Sequence, residues 1–431
     1  MTFDRIELAS GIHLNYTYSD RFKTDGLSLY FLLPLTCDTI AYDSLLPEVL
    51  RMGSEKLPTP RAMTCRAQEL YDTGITVAHY NLGNRKILLF SADMLAASFL
   101  PQGTELLPQA AELLKDLIFH PYLENGKLSE KYVALRKKAL IDAVRAEINH
   151  KGTYALLRCR AAMCEGTVGA LLPYGTEDMI ASVTSEALTE RYSQCLKAAE
   201  IECFYEGRAA KEEVIDALSF LLDCAKEKPL LPKIEQKPKR ETVRFIEEAV
   251  VARQARLVIG MRYRPAETKE EFSAFLLMLE VLAYSPVSKL FTRVREQLGL
   301  CYSCSAVNDG VRGMLFLTAG IDSEKREKAE RAMLAQVRAI GRKRLTEAEF
   351  SSAKKSLLSS LSSLADMPDS MELFLLRRRM MGFATTLEEE IARIESIGEK
   401  EVAAAARRLW PDTVFFLRAN SCEEEDFCDD E

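Results

Sequence analysis

Leu290-Phe-Thr-Arg-Val-Arg-Glu-Gln-Leu-Gly-Leu-Cys-Tyr-Ser-Cys-Ser-Ala306 reads as a helix that stops at Gly299 and a strand, Leu300 to Val307, that leaves it. Glycine at the end of a helix supplies the positive φ that turns the chain out of it. Downstream, the turn Asn308-Asp309-Gly310 and the strand Gly313 to Ala319 complete a hairpin, with the residue types that tolerate left-handed turns. The same order occurs earlier. A helix pattern ends at Gly74, a strand follows from Ile75 to Tyr80, the turn is Asn81-Leu82-Gly83-Asn84, and a second strand runs from Lys86 to Ser91. Helical periodicity follows each hairpin, with Leu106, Leu107, Ala110, Leu113, Leu114, Leu117 and Ile118 after Thr104, and Ala329, Met333, Val337 and Ile340 after Ser323. The chain is written twice.

Each half opens with a strand signal, Gly26 to Leu33 and Arg256 to Tyr263, and Thr346 with Glu349 forms a capping box ahead of Leu357, Leu358, Leu361 and Leu364. Strands grouped with helices, rather than strictly alternating with them, predict an α+β fold of two homologous halves, each an antiparallel-rich sheet layered with helices. Pro229, Pro232 and Pro238 mark a segment poor in apolar residues. The expected division is therefore 1–228, a linker at 229–241, and 242–431.

The 431 residues are 48% hydrophobic and 28% charged, an ordinary globular composition, and 57 Lys plus Arg against 64 Asp plus Glu give a net charge of −7. That balance argues against nucleic-acid binding by phosphate neutralisation. Arg377, Arg378 and Arg379 read as a solvated helix face. No stretch approaches the roughly 18 apolar residues of a membrane span. Asp4, Arg5 and Glu7 occupy the place of a signal peptide's apolar core. Eleven irregularly spaced cysteines read as reduced thiols, so a cytoplasmic location without membrane association is expected. The acidic end from Cys422 to Glu431 reads as a solubilising tail.

The only histidines are His13, His79, His120 and His150, none spaced as a metal motif, and neither a phosphate-binding glycine loop nor a GxSxG elbow occurs. His79 and His120 read as hydrogen-bonded structural residues. Cys301 and Cys304 form a CxxC within the expected strand, which would put the two side chains on opposite faces, so both are expected to be core thiols.

The Leu290 to Ala306 stretch also resembles the second half of the insulinase and pitrilysin family of zinc peptidases, in particular its small processing-peptidase-like members. The likeness extends through Met314 to Ile321 and the Leu345 to Met381 helices, and in the first half from Ile6 to Glu55. Active members of that family carry HxxEH on an early helix, with two His as zinc ligands, the Glu as general base and a distant Glu as third ligand. Aligning the family's following Gly-Thr with Gly53 and Ser54 puts Ser44, Pro47 and Glu48 where His, Glu and His stand, and the third ligand falls at Asp142. The family's Arg and Tyr, seven positions apart and used to hold substrate backbone and the oxyanion, match Arg295 and Tyr302. The resemblance implies a chain without a cofactor of its own. Zinc is expected in an HxxEH-bearing homologous partner, a homodimer being the other arrangement, with a peptide as substrate. A partner-binding scaffold that does no chemistry is the alternative.

Overall fold

The computed structural model describes residues 3–222 and 240–420. Two units form, one from Met1–Arg145 and Leu171–Lys233, the other from Ala146–Ala170 and Ile234–Glu431. Apart from Arg240 and Glu241, the linker read at 229–241 lies outside the described residues, as does the acidic tail.

In the first unit the strands are β1 (Asp4–Ala9), β2 (Ile12–Tyr18), β3 (Thr24–Pro34), β4 (Gly74–Leu82), β5 (Arg85–Leu95), the short pair β6 (Leu123–Glu124) and β7 (Lys127–Leu128), and β8 (Glu200–Gly207). The main sheet has the order β1-β2-β8-β3-β5-β4. β3 lies inside it, antiparallel to both β5 and β8, and its Leu27 to Leu33 run is buried on both faces, as a central strand requires. Helices α1 (Ile40–Leu50), α2 (Pro60–Glu69), α3 (Leu107–Phe119) and α4 (Glu130–Ala146) follow in chain order. α3 turns Ala110, Leu113, Leu114 and Leu117 into the same core as Leu29, Phe31 and Phe90.

In the second unit, β9 (Arg244–Val251), β10 (Ala255–Arg262), β11 (Ser303–Asp309), β12 (Met314–Ile321) and β13 (Trp410–Asn420) form a sheet of order β11-β12-β10-β13-β9. Strand for strand this repeats β4-β5-β3-β8-β2. The first three pairings are antiparallel in each sheet, and the last, β8 with β2 and β13 with β9, is parallel. The duplication read in the sequence is a repeated topology, extended in the first unit by β1.

Helix α5 (Lys151–Met163) stems from the first half of the sequence yet packs in the second unit. Its Ala155, Cys159 and Met163 share a core with Val258, Met314, Phe316 and Phe415. Gly260 admits it, because a Cβ there would stand 2.3 Å from Met163 Sδ.

Two local expectations are corrected. The helix before β4 ends at Glu69, and Tyr71 and Asp72 take the left-handed turn at φ 56° and 59°, so Gly74 is the first strand residue rather than a helix stop. Gly299 does turn at φ +57°. Arg378 is not solvated: it is 8% exposed, lies over the Phe272 and Phe374 rings and pairs with Glu390 at 3.7 Å.

Candidate functional site

α1 carries Ser44, Pro47 and Glu48. Ser44 is fully buried and donates to the Ile40 carbonyl at 2.8 Å, an i−4 back-bond that leaves its oxygen free to accept. The accepted proton comes from Lys86 of β5, whose Nζ stands 2.8 Å from Ser44 Oγ, 3.2 Å from the Pro173 carbonyl and 3.0 Å from His79 Nδ1. Lys86 has no exposed surface. Burial pulls its pKa from 10.5 down to about 7, against the opposing pull of the Asp43 carboxylate. Burial, then the nearby Lys86, depresses His79 to about 3. Its ring is therefore neutral at pH 7, and Nδ1 accepts from Lys86. Asp43, also fully buried, is held by the Arg191 fork at 2.7 and 3.0 Å.

Pro47 lies inside α1 and is buried. Its ring offers no lone pair and no proton acceptor. Glu48 is engaged by Arg136 of α4 and, at 3.5 Å, by Arg51. Asp142, the position of the third ligand, is an exposed residue of α4. It borders a cavity of about 700 Å³ with Val133, Lys137, Ile141 and Val183. These positions do not fit zinc: Ser44 already receives a lysine ammonium, Pro47 has no donor atom, and Glu48 is neutralised by two guanidinium groups. Among the described residues, no three His, Cys, Asp or Glu are grouped so as to hold a metal ion. Sequence reading missed Lys86, because a lysine beside a hairpin turn looks solvated until the strand pairing buries it.

In the second unit Arg295 is exposed on the helix Leu290–Gln297, which ends in a wide turn with Leu298 N–H bonded to the Arg293 carbonyl at 3.2 Å. Its guanidinium lies over Phe291, 4.9 Å from the ring centre, and 3.3 Å from Glu296. Tyr302 is 61% exposed, donates its hydroxyl proton to Asp322 at 2.9 Å, and is tied by its N–H to the Gly320 carbonyl. The Asp322 carboxylate pushes the Tyr302 pKa up. Both residues are thus presented at the surface on either side of the Gly299 turn.

The CxxC reading needs correction. β11 begins at Ser303 rather than Leu300, so Cys301, 7% exposed, precedes the strand, and the alternation expected for the pair does not reach it. Strand alternation applies only inside the ladder.

Comparison with known proteins agrees with this picture. Residues 182–357 match the family described as "Peptidase M16 inactive domain", the family the Leu290 to Ala306 stretch resembles. The probable inactive metalloprotease YmfF of Bacillus subtilis (strain 168) is 26% identical over 411 residues, 95% of this chain and 96% of that protein. A conserved protein from Enterococcus faecalis V583 has the same fold in its crystal structure, with a TM-score of 0.89 at 23% identity over 99% of this chain and 100% of that one. A chain of complex III2 from Candida albicans aligns with a TM-score of 0.71 at 13% identity, over 96% of this chain and 95% of its own.

Proposed function

Because the chain is an inactive-type homologue of the M16 zinc metallopeptidases, we propose that it is the metal-free subunit of a two-chain peptidase. An HxxEH-bearing partner supplies zinc and base. This chain closes the peptide chamber and contributes Arg295 and Tyr302 in trans. The observation that carries the reading is an asymmetry: Ser44, Pro47 and Glu48 are consumed by internal contacts, whereas Arg295 and Tyr302 remain at the surface. Tyr302 gives its proton to a half-buried Asp322, a bond that can be exchanged for one to an oxyanion. A scaffold without chemistry is the second reading. It is favoured by the partners Arg295 and Tyr302 already have within the chain.

Kinetics of the two-chain complex separate the two. Tyr302→Phe is expected to lower kcat by about 10² to 10³, the usual loss when one oxyanion donor is removed, without loss of assembly. Arg295→Ala is expected to act mainly on KM, since a guanidinium gripping substrate backbone contributes before the transition state as well. Unchanged turnover with Tyr302→Phe would reduce the chain to a scaffold.

A further inference from the structure

The pairing of β10, β12 and β11 sets Arg256, Gly320 and Ser303 in one row and Val258, Thr318 and Ser305 in the next. Alternation puts both rows on the face that α5 covers, since Val258 packs against Ala155 and Cys159. Where α5 starts, this face opens into a cavity of about 290 Å³, lined by Gly152 and Thr153 of the helix and by Arg256, Thr318, Gly320 and Ser303 of the sheet. Gly320 makes room for the arginine. A Cβ there would stand 2.6 Å from Arg256 Nη1, so the guanidinium lies across the glycine towards β11, and the neutral Gln254 side chain reaches the same point at 2.5 Å. Arg256 is the only charged residue lining the cavity. Among the described residues no carboxylate pairs with it, and its Nε is buried without a hydrogen-bond partner. Arg262, at the other end of β10, is fully engaged by contrast, bonded to Asp412 at 2.8 Å and to the Met163 carbonyl. A guanidinium drawn out of water with no counter-charge is a cost that an anionic ligand offsets. His150 gives α5 no side-chain cap, so the first N–H groups of the helix add donors at the same opening.

We propose that the cavity at Arg256 binds the phosphate group of a small phosphomonoester. Donors converge on it from three sources: the Arg256 guanidinium, the Ser303 and Thr318 hydroxyls, and the first N–H groups of α5. A tetrahedral group with three terminal oxygens engages all of them, whereas a planar carboxylate has two oxygens to offer. Thr318 shares a hydrogen bond with Ser305 at 2.9 Å, and with Ser305 as donor the Thr318 proton is left for the ligand. Leu156 and Val258 also line the space, so a short organic group fits beside the phosphate.

Calorimetric titration of the full chain with glycerol 2-phosphate tests this, with inorganic phosphate and acetate titrated in parallel. The ester is expected to bind once per chain and more tightly than either comparison anion. Arg256→Gln is expected to weaken it at least about tenfold, while the melting temperature without ligand holds or rises, because the substitution removes an unpaired charge. Gly152→Asp gives an independent reading. Its Cβ meets nothing within 4 Å and an acidic residue suits a helix start, so the chain is expected to melt no lower, yet the new carboxylate should repel the ligand and weaken it by a similar factor. Ester binding that neither substitution changes would overturn the proposal, as would no binding by the unaltered chain at millimolar ester, or inorganic phosphate or acetate bound more tightly than the ester.

Discussion

Lys86 dominates the electrostatics around Ser44. A single buried ammonium meets Ser44, His79 and Pro173, and its charge state ties stability to pH. Its pKa falls from 10.5 to about 7 on folding, so between those values the unfolded chain binds more protons and stability rises with pH; below pH 7 both states are protonated and the cost is constant. His79, lowered from 6.5 to about 3, contributes the same sign in a separate and more acidic window. Lys86→Met is therefore expected to compare best with wild type near pH 7 and to lose ground towards about pH 10, by on the order of 4 kcal/mol over the full range. Urea unfolding of both proteins across that range measures it; a pH-independent difference would show that Lys86 is not the titrating group. At this scale the sequence was partly legible. Once the family resemblance had aligned the chain, side-chain chemistry argued against Ser44 and Pro47 as ligand and base, and the resemblance rather than spacing alone pointed to Arg295 and Tyr302. The ammonium was hidden, because nothing local to Lys86 distinguishes a buried strand lysine from a solvated one.

The elements were legible where a residue type enforces a backbone conformation, and less so where neighbours decide. Thr346 and Glu349 form the expected capping box, and the helix Glu347–Leu364 follows. Gly299 makes the expected left-handed turn, but its counterpart Gly74 does not, because Tyr71 and Asp72 accept positive φ in its stead. The two glycines should therefore respond differently to a side chain. Gly299→Ala is expected to lose about 1 kcal/mol through backbone strain alone, since its Cβ would meet nothing within 4 Å. Gly74→Ala, whose Cβ sits at ordinary contact distance from Asp93, is expected to be neutral or slightly stabilising. Chemical denaturation of both variants decides it, and equal losses would mean that Gly74 carries a constraint of its own. The helix before β4 is closed by local bonds such as Thr73 N–H to the Ala67 carbonyl, whereas the ladder of β11 is set by its pairing with β12, and local periodicity reports neither.

For the whole molecule, the repeat of turn, hairpin and helix was enough to infer two sheets of one topology. Periodicity could not reveal that α5, encoded in the first half, is buried in the second unit. Its place depends on Gly260, and Gly260→Ala is expected to lose about 1–3 kcal/mol by forcing Met163 and Cys159 away from β10. A loss confined to thermal melting of the second unit would fit that assignment; no loss would contradict it. Split catalysis requires above all that this chain cannot hold the metal itself. Zinc titrated into the metal-stripped full chain, alongside Glu48→Gln, tests that most directly. The account predicts no stoichiometric site that depends on Glu48, whose carboxylate is already committed to Arg136 and Arg51. One equivalent of zinc bound at micromolar or tighter affinity, and lost in Glu48→Gln, would contradict it.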